Sequence, residues 1–187
     1  MKTAICVALA FAGIAAAQTK PKDIDGWGKI KWGMTVAQAK AAYGPEAHES
    51  AGTDTEHGYA KKLAFEGLRI VGDLELRGSV QTATVPSDQI KEVTLSILES
   101  NATAKGGATV RRKAYNTLTD VLIQKYGTPA YRDEHQSRDG GPTTFSTTWI
   151  LPSTVIRLDR FEAGGSTEYG TLDLRYTATD KKTLDML

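Results

Sequence analysis

Hydrophobic and polar positions in this chain switch between two periods, and they do so twice in the same order. A helical stripe of Val36, Ala39, Ala42 and Tyr43 runs into Gly44-Pro45, and strand-like alternation follows it. A longer stripe, Val110, Ala114, Leu118, Val121, Leu122 and Tyr126, runs into Gly127-Thr128-Pro129, placing the second Tyr-Gly 83 residues after the first. Spacings of three and four residues put each set on one helical face. Thr35 predicts an N-cap, and Gln38 three residues on completes a capping box. Glycine just past each stripe suits the C′ position, and the proline beyond it cannot continue a helix.

The stretches after each helix read as strands. In the first half these are Tyr59 to Phe65, Leu68 to Thr84, and a segment where Val93, Leu95 and Ile97 alternate against Glu92, Thr94, Ser96 and Leu98. In the second half Phe145, Thr147, Trp149 and Leu151 alternate strictly, then Ile156 with Leu158, then Leu172, Leu174 and Tyr176. Period two is the signature of a half-buried strand. The segments 46–57 and 130–142 have no such period and read as polar loops. Leu74 and Leu76 map onto Ile156 and Leu158 at an offset of 82, and Val93 onto Leu172 at 79. The expected fold is therefore α+β: two tandem αβββ-type units, with helices packed on antiparallel sheet. The units span 34–99 and 108–180, with a connector at 100–107 and a tail at 181–187. The rival arrangement is a single α+β domain whose two helices end alike.

The N-terminus changes the picture from fold to compartment. Lys2, the apolar stretch Ala4–Ala16 and the small residues Ala15-Ala16-Ala17 fit a secretory signal over 1–17, cut after Ala17. The stretch is shorter than the roughly 20 residues a spanning helix needs; the competing reading is a buried or anchoring N-terminal helix. Residues 18–33 then form a flexible lead-in and short arm in which Ile30 and Trp32 alternate with lysines. The expected destination is periplasmic or secreted. Cys6, the only cysteine, lies inside the signal, so the processed chain would have no disulfide, thiol nucleophile or cysteine-bound metal.

The 187 residues carry 23 basic and 22 acidic side chains, and loss of Lys2 balances them. Without a basic excess or stripe, nucleic acid is excluded as an expected partner. No second apolar run is long enough to be an integral membrane segment after cleavage.

Gly33-Met34-Thr35, a few helical residues and Tyr43-Gly44-Pro45 resemble the opening helix of the small outer-membrane-assembly lipoproteins. A helix-then-sheet unit used twice is similar to the secreted β-lactamase inhibitory proteins. The resemblance implies helix pairs packed on an antiparallel sheet. The chain departs from the first group in having no cysteine at its cleavage site, and from the second in having no disulfides.

Candidate chemistry is sparse. His48, His57 and His135 lie with carboxylates in the two polar segments, and imidazole with carboxylate suits zinc or another divalent ion. Their spacing matches no ligand pattern, and solvated loops are the competing reading. There is no Gly-x-Ser-x-Gly elbow and no Ser-x-x-Lys pair. Arg111, Arg112 and Lys113 would sit in the first turn of a helix starting near Thr109, where the dipole disfavours cations; Arg111 and Arg112 are thus candidates for an acidic partner. Trp27 is a candidate contact because large aromatics concentrate at binding hot spots. No cofactor is expected. The reading is an exported, non-enzymatic binding or protein-interaction module whose partner is an envelope protein. The alternatives are an inhibitor of a periplasmic enzyme and a metal-assisted hydrolase using loop His and carboxylates.

Overall fold

The computed structural model describes residues 23–50, 59–71, 74–83, 89–97, 107–137, 140–163 and 169–179. The signal, its cleavage site, most of the 100–107 connector and the 181–187 tail lie outside the described residues, as does His57.

Helix formation follows the local chemistry. Helix α1 spans Val36–Tyr43, and its capping box is present: the Thr35 hydroxyl accepts from the Gln38 N–H, and the Gln38 side chain accepts from the Thr35 N–H. Gly44 ends it with φ +69°, a backbone conformation that L side chains rarely adopt. A single 3-10 turn, Gly44–Glu46, follows. Helix α2 spans Gly107–Tyr126 and buries Arg111, Ala114, Leu118, Thr119, Leu122 and Tyr126. Gly127, at φ +83°, stops it, donating its N–H to the Ile123 carbonyl.

Strands dominate the rest. A two-stranded hairpin, β1 (Gly26–Trp27) and β2 (Ile30–Lys31), precedes α1. Then come β3 (Ala47–Ser50), β4 (Tyr59–Val71), β5 (Leu74–Ala83) and β6 (Ile90–Ile97). After α2 follow β7 (Tyr131–Gln136), β8 (Thr143–Ile150), β9 (Thr154–Glu162) and β10 (Gly170–Ala178). These eight form one antiparallel sheet in the order β3-β4-β5-β6-β10-β9-β8-β7.

This corrects the tandem αβββ expectation. The described residues are mostly strand, with two α-helices among them, and the eight strands after the hairpin belong to a single continuous sheet rather than to two helix-covered repeats. β6 pairs with β10, Val93 opposite Tyr176 and Leu95 opposite Leu174, and that contact erases any boundary between units. The segments read as polar loops are partly strand, since β3 and β7 are the two sheet edges. All six residues of β7 are exposed, so it has no buried face and no apolar alternation to betray it. The long run 68–84 is also divided, because the chain reverses so that Val71 pairs with Leu74.

One face of the sheet carries the core. A single register line runs from Leu63 through Val80, Val93, Tyr176 and Ile156 to Trp149. Leu63, Val93, Tyr176, Ile156 and Trp149 along it are all buried. Both helices lie over this face. Trp27 of the hairpin stacks on Tyr43 of α1, 6.4 Å between centroids and 6° from parallel, and also meets Tyr176 on β10. Tyr176 in turn has the Tyr126 hydroxyl of α2 beside it. The hairpin is laced to the β8–β9 turn: Asp23 accepts from the Ser153 N–H and hydroxyl, while Thr154 accepts from the Trp32 indole and donates to the Ile24 carbonyl.

Candidate functional site

The opposite face of the sheet has no described helix over it, and its described side chains on β6, β10, β9 and β8 are polar apart from Ile150, Val155 and Phe161. Antiparallel sheets commonly leave one face to solvent. Here the pattern is more ordered than that minimum requires. Asp159 on β9 and Asp173 on β10 are direct cross-strand partners, as are Arg157 and Arg175 two residues along. Directly opposed side chains sit about 4.5–5.5 Å apart at Cβ, where like charges repel. Neighbours offset the repulsion. Arg157 donates to Asp159 at 2.8 Å and to the Ser146 hydroxyl at 3.2 Å, and Ser146 itself donates to Asp159. Ser96 donates to Asp173. Glu92 accepts from Thr94 and Thr177 and pairs with Arg175 at 3.5 Å. The result is a lattice of cations, anions and hydroxyls contributed by neighbouring strands.

A cleft of about 490 Å³ opens on the helix side, between α2 and the β7 edge. Tyr115, Asn116, Thr119 and Asp120 form one wall, and Arg132 and Glu134 are on the other. Phe145 and Thr147 belong to its floor, where the Thr147 and Tyr115 hydroxyls are 2.6 Å apart.

Beneath the N-terminal half of α2 sits a buried polar group. Arg111 reaches Glu162 through one guanidinium edge, with Nη2 to Oε2 at 2.5 Å and Nε to Oε1 at 3.4 Å. Arg160 approaches the same carboxylate at 3.6 Å and stacks on the Phe145 ring, 3.8 Å from its centroid. Its Nε is buried without a hydrogen-bond partner. Burial pulls the Arg160 guanidinium below its ordinary value, with Glu162 opposing that pull and Arg112 reinforcing it. Gly170 makes the arrangement possible, because a Cβ there would lie 2.3 Å from the Phe161 carbonyl oxygen and 2.7 Å from Arg111 Nε.

The candidates read from sequence fall in separate places. Arg111 is 1% exposed and is committed to Glu162, so it is no surface contact for a partner. The helix begins at Gly107, which puts Arg111 beyond the first residues where the dipole conflict was expected. Arg112 is exposed. Trp27 is half-buried in the stack between α1 and β10, so packing accounts for its aromatic surface. His48 is exposed on β3 and His135 on β7, at opposite edges of the eight-stranded sheet. With strands about 4.8 Å apart, they cannot share an ion across that sheet. Among the described residues, no three His, Cys, Asp or Glu side chains cluster as a metal site would require.

Sequence reading missed the Arg157, Asp159, Asp173 and Arg175 lattice. The alternation in β9 and β10 announced an outward face, but only strand register places like residues opposite one another. Among the described residues, no helix is long and apolar enough to cross a membrane. Neither a family model, nor a curated protein, nor a solved structure matches the chain.

Proposed function

We propose that this protein is an exported, non-enzymatic binding module that holds a partner protein of the cell envelope against the uncovered face of its sheet. The observation that carries the reading is the in-register lattice of Arg157, Asp159, Asp173 and Arg175 with its hydroxyl neighbours. Asp159 and Asp173, already held by cross-strand hydrogen bonds from Ser146 and Ser96, lose little freedom on contact, which lowers the cost of association. Charges of both signs in fixed positions select a partner by complementarity and speed its encounter. Recognition then works by surface matching, with no covalent step.

The test is capture from an envelope extract by the chain beginning at Gln18, beside the double variant Arg157→Ala/Arg175→Ala. A specific partner held by the wild type and lost by the variant, with unchanged melting temperature, is the expected result. No specific partner at any salt concentration, or equal capture by both proteins, would overturn the reading.

A further inference from the structure

β7 ends the sheet and pairs only with β8 among the described strands. The ladder phase follows from the Ser137 N–H, which donates to the Pro142 carbonyl at 2.9 Å in the same register that sets Tyr131 opposite Thr148. In an antiparallel ladder, hydrogen-bonded and non-bonded pairs alternate. Tyr131, Asp133 and His135 therefore turn their backbone groups toward β8. Arg132, Glu134 and Gln136 turn theirs outward, where no described strand meets them. Register also fixes the side chains. Arg132 pairs with Thr147 and Glu134 with Phe145, the two floor residues of the cleft, so both lie on the helix side.

Exposed edges invite pairing, and charged residues on them prevent indiscriminate addition. The charges here do more than repel, because their order is self-complementary. If a second β7 runs antiparallel with its two-fold axis at Asp133, Arg132 faces Glu134 of the other copy and Glu134 faces its Arg132. Those are the residues whose backbone groups point outward, so two pairs form and each exchanges both main-chain hydrogen bonds. The cleft beside α2 leaves about 490 Å³ on that side, room for the incoming side chains next to Asn116 and Asp120. The opposed Asp133 side chains at the axis work against the contact.

We propose that two copies of this chain associate edge to edge through β7, joining their sheets and pairing Arg132 with Glu134 reciprocally. Such a contact is small and largely main-chain, so it is reversible and populated at about 10–100 µM. It goes beyond the partner-binding reading and stands independently of it, since it uses the strand edge and leaves the sheet face open.

Sedimentation velocity of the chain from Gln18 over that concentration range is the test. Arg132→Glu and Glu134→Arg should each weaken the dimer about tenfold or more, by setting like charges opposite, and the double exchange should restore it to within about threefold. Asp133→Asn should tighten it. Glu134→Pro should abolish it while leaving the melting temperature of the monomer near that of the wild type, because the lost N–H points away from β8. A wild type that stays monomeric throughout overturns the proposal. So does a double exchange no tighter than the single variants, or a Glu134→Pro protein that folds and still dimerises.

Discussion

Glu162 pairs with both Arg111 and Arg160, and this makes its neutralisation an informative perturbation. Arg111 has 2% of its side chain exposed and Arg160 7%, so neither guanidinium can turn to water when the carboxylate is lost. Breaking one partner of a buried pair costs about 3–5 kcal/mol, because a charge stays buried without compensation. Glu162→Gln keeps the shape of the side chain but removes its charge and turns one of the two oxygens that accept from Arg111 into an amide donor, and should lose about that much. Arg160→Met is the internal control. It leaves the two-pronged Arg111–Glu162 contact in place, removes a buried Nε with no hydrogen-bond partner, and keeps an apolar stem against Phe145 and Tyr115. Lost cation–π attraction and relieved burial roughly cancel, for a change within about 1 kcal/mol. Urea unfolding followed by tryptophan fluorescence measures both through the midpoint, provided the slope is unchanged. A Glu162→Gln cost below about 1 kcal/mol, or an Arg160→Met cost equal to it, would refute the view that the carboxylate holds two buried cations.

Two further outcomes follow from the same packing. Gly170→Ala should destabilise by about 1–3 kcal/mol, as overpacking does, because the new methyl would meet the Phe161 carbonyl and displace Arg111; thermal melting reads this directly. Burial, reinforced by Tyr126, raises the Tyr176 hydroxyl well above its ordinary value. The folded state therefore holds that proton more tightly than the unfolded chain does. Its contribution is complete below about pH 10 and is lost as pH rises through the unfolded and then the folded value. Tyr176→Phe should flatten the fall in melting temperature between pH 9 and 11, and an unchanged slope would count against the assignment.

Local events are written in neighbouring residues. Thr35 and Gln38 cap α1 without help from the rest of the protein, and Gly44 and Gly127 end the helices because they can adopt positive φ. Alternation found the central strands, since β8, β9 and β10 bury one face and expose the other. What it could not register were elements that bury nothing or depend on distant pairing. β7 is exposed along its length, so its residues look like a loop, and the charges that suggested a solvated segment protect a sheet edge. Arg111 reads as a surface cation until Glu162, 51 residues away, supplies the counter-charge that lets it be buried. The union of β6 with β10 is likewise a long-range choice, made by apolar rows that match only when the whole sheet is assembled. Helix caps are contacts over three or four residues and are written in neighbouring letters. Edges, registers and buried ion pairs are contacts between distant segments, and tertiary structure alone decided them.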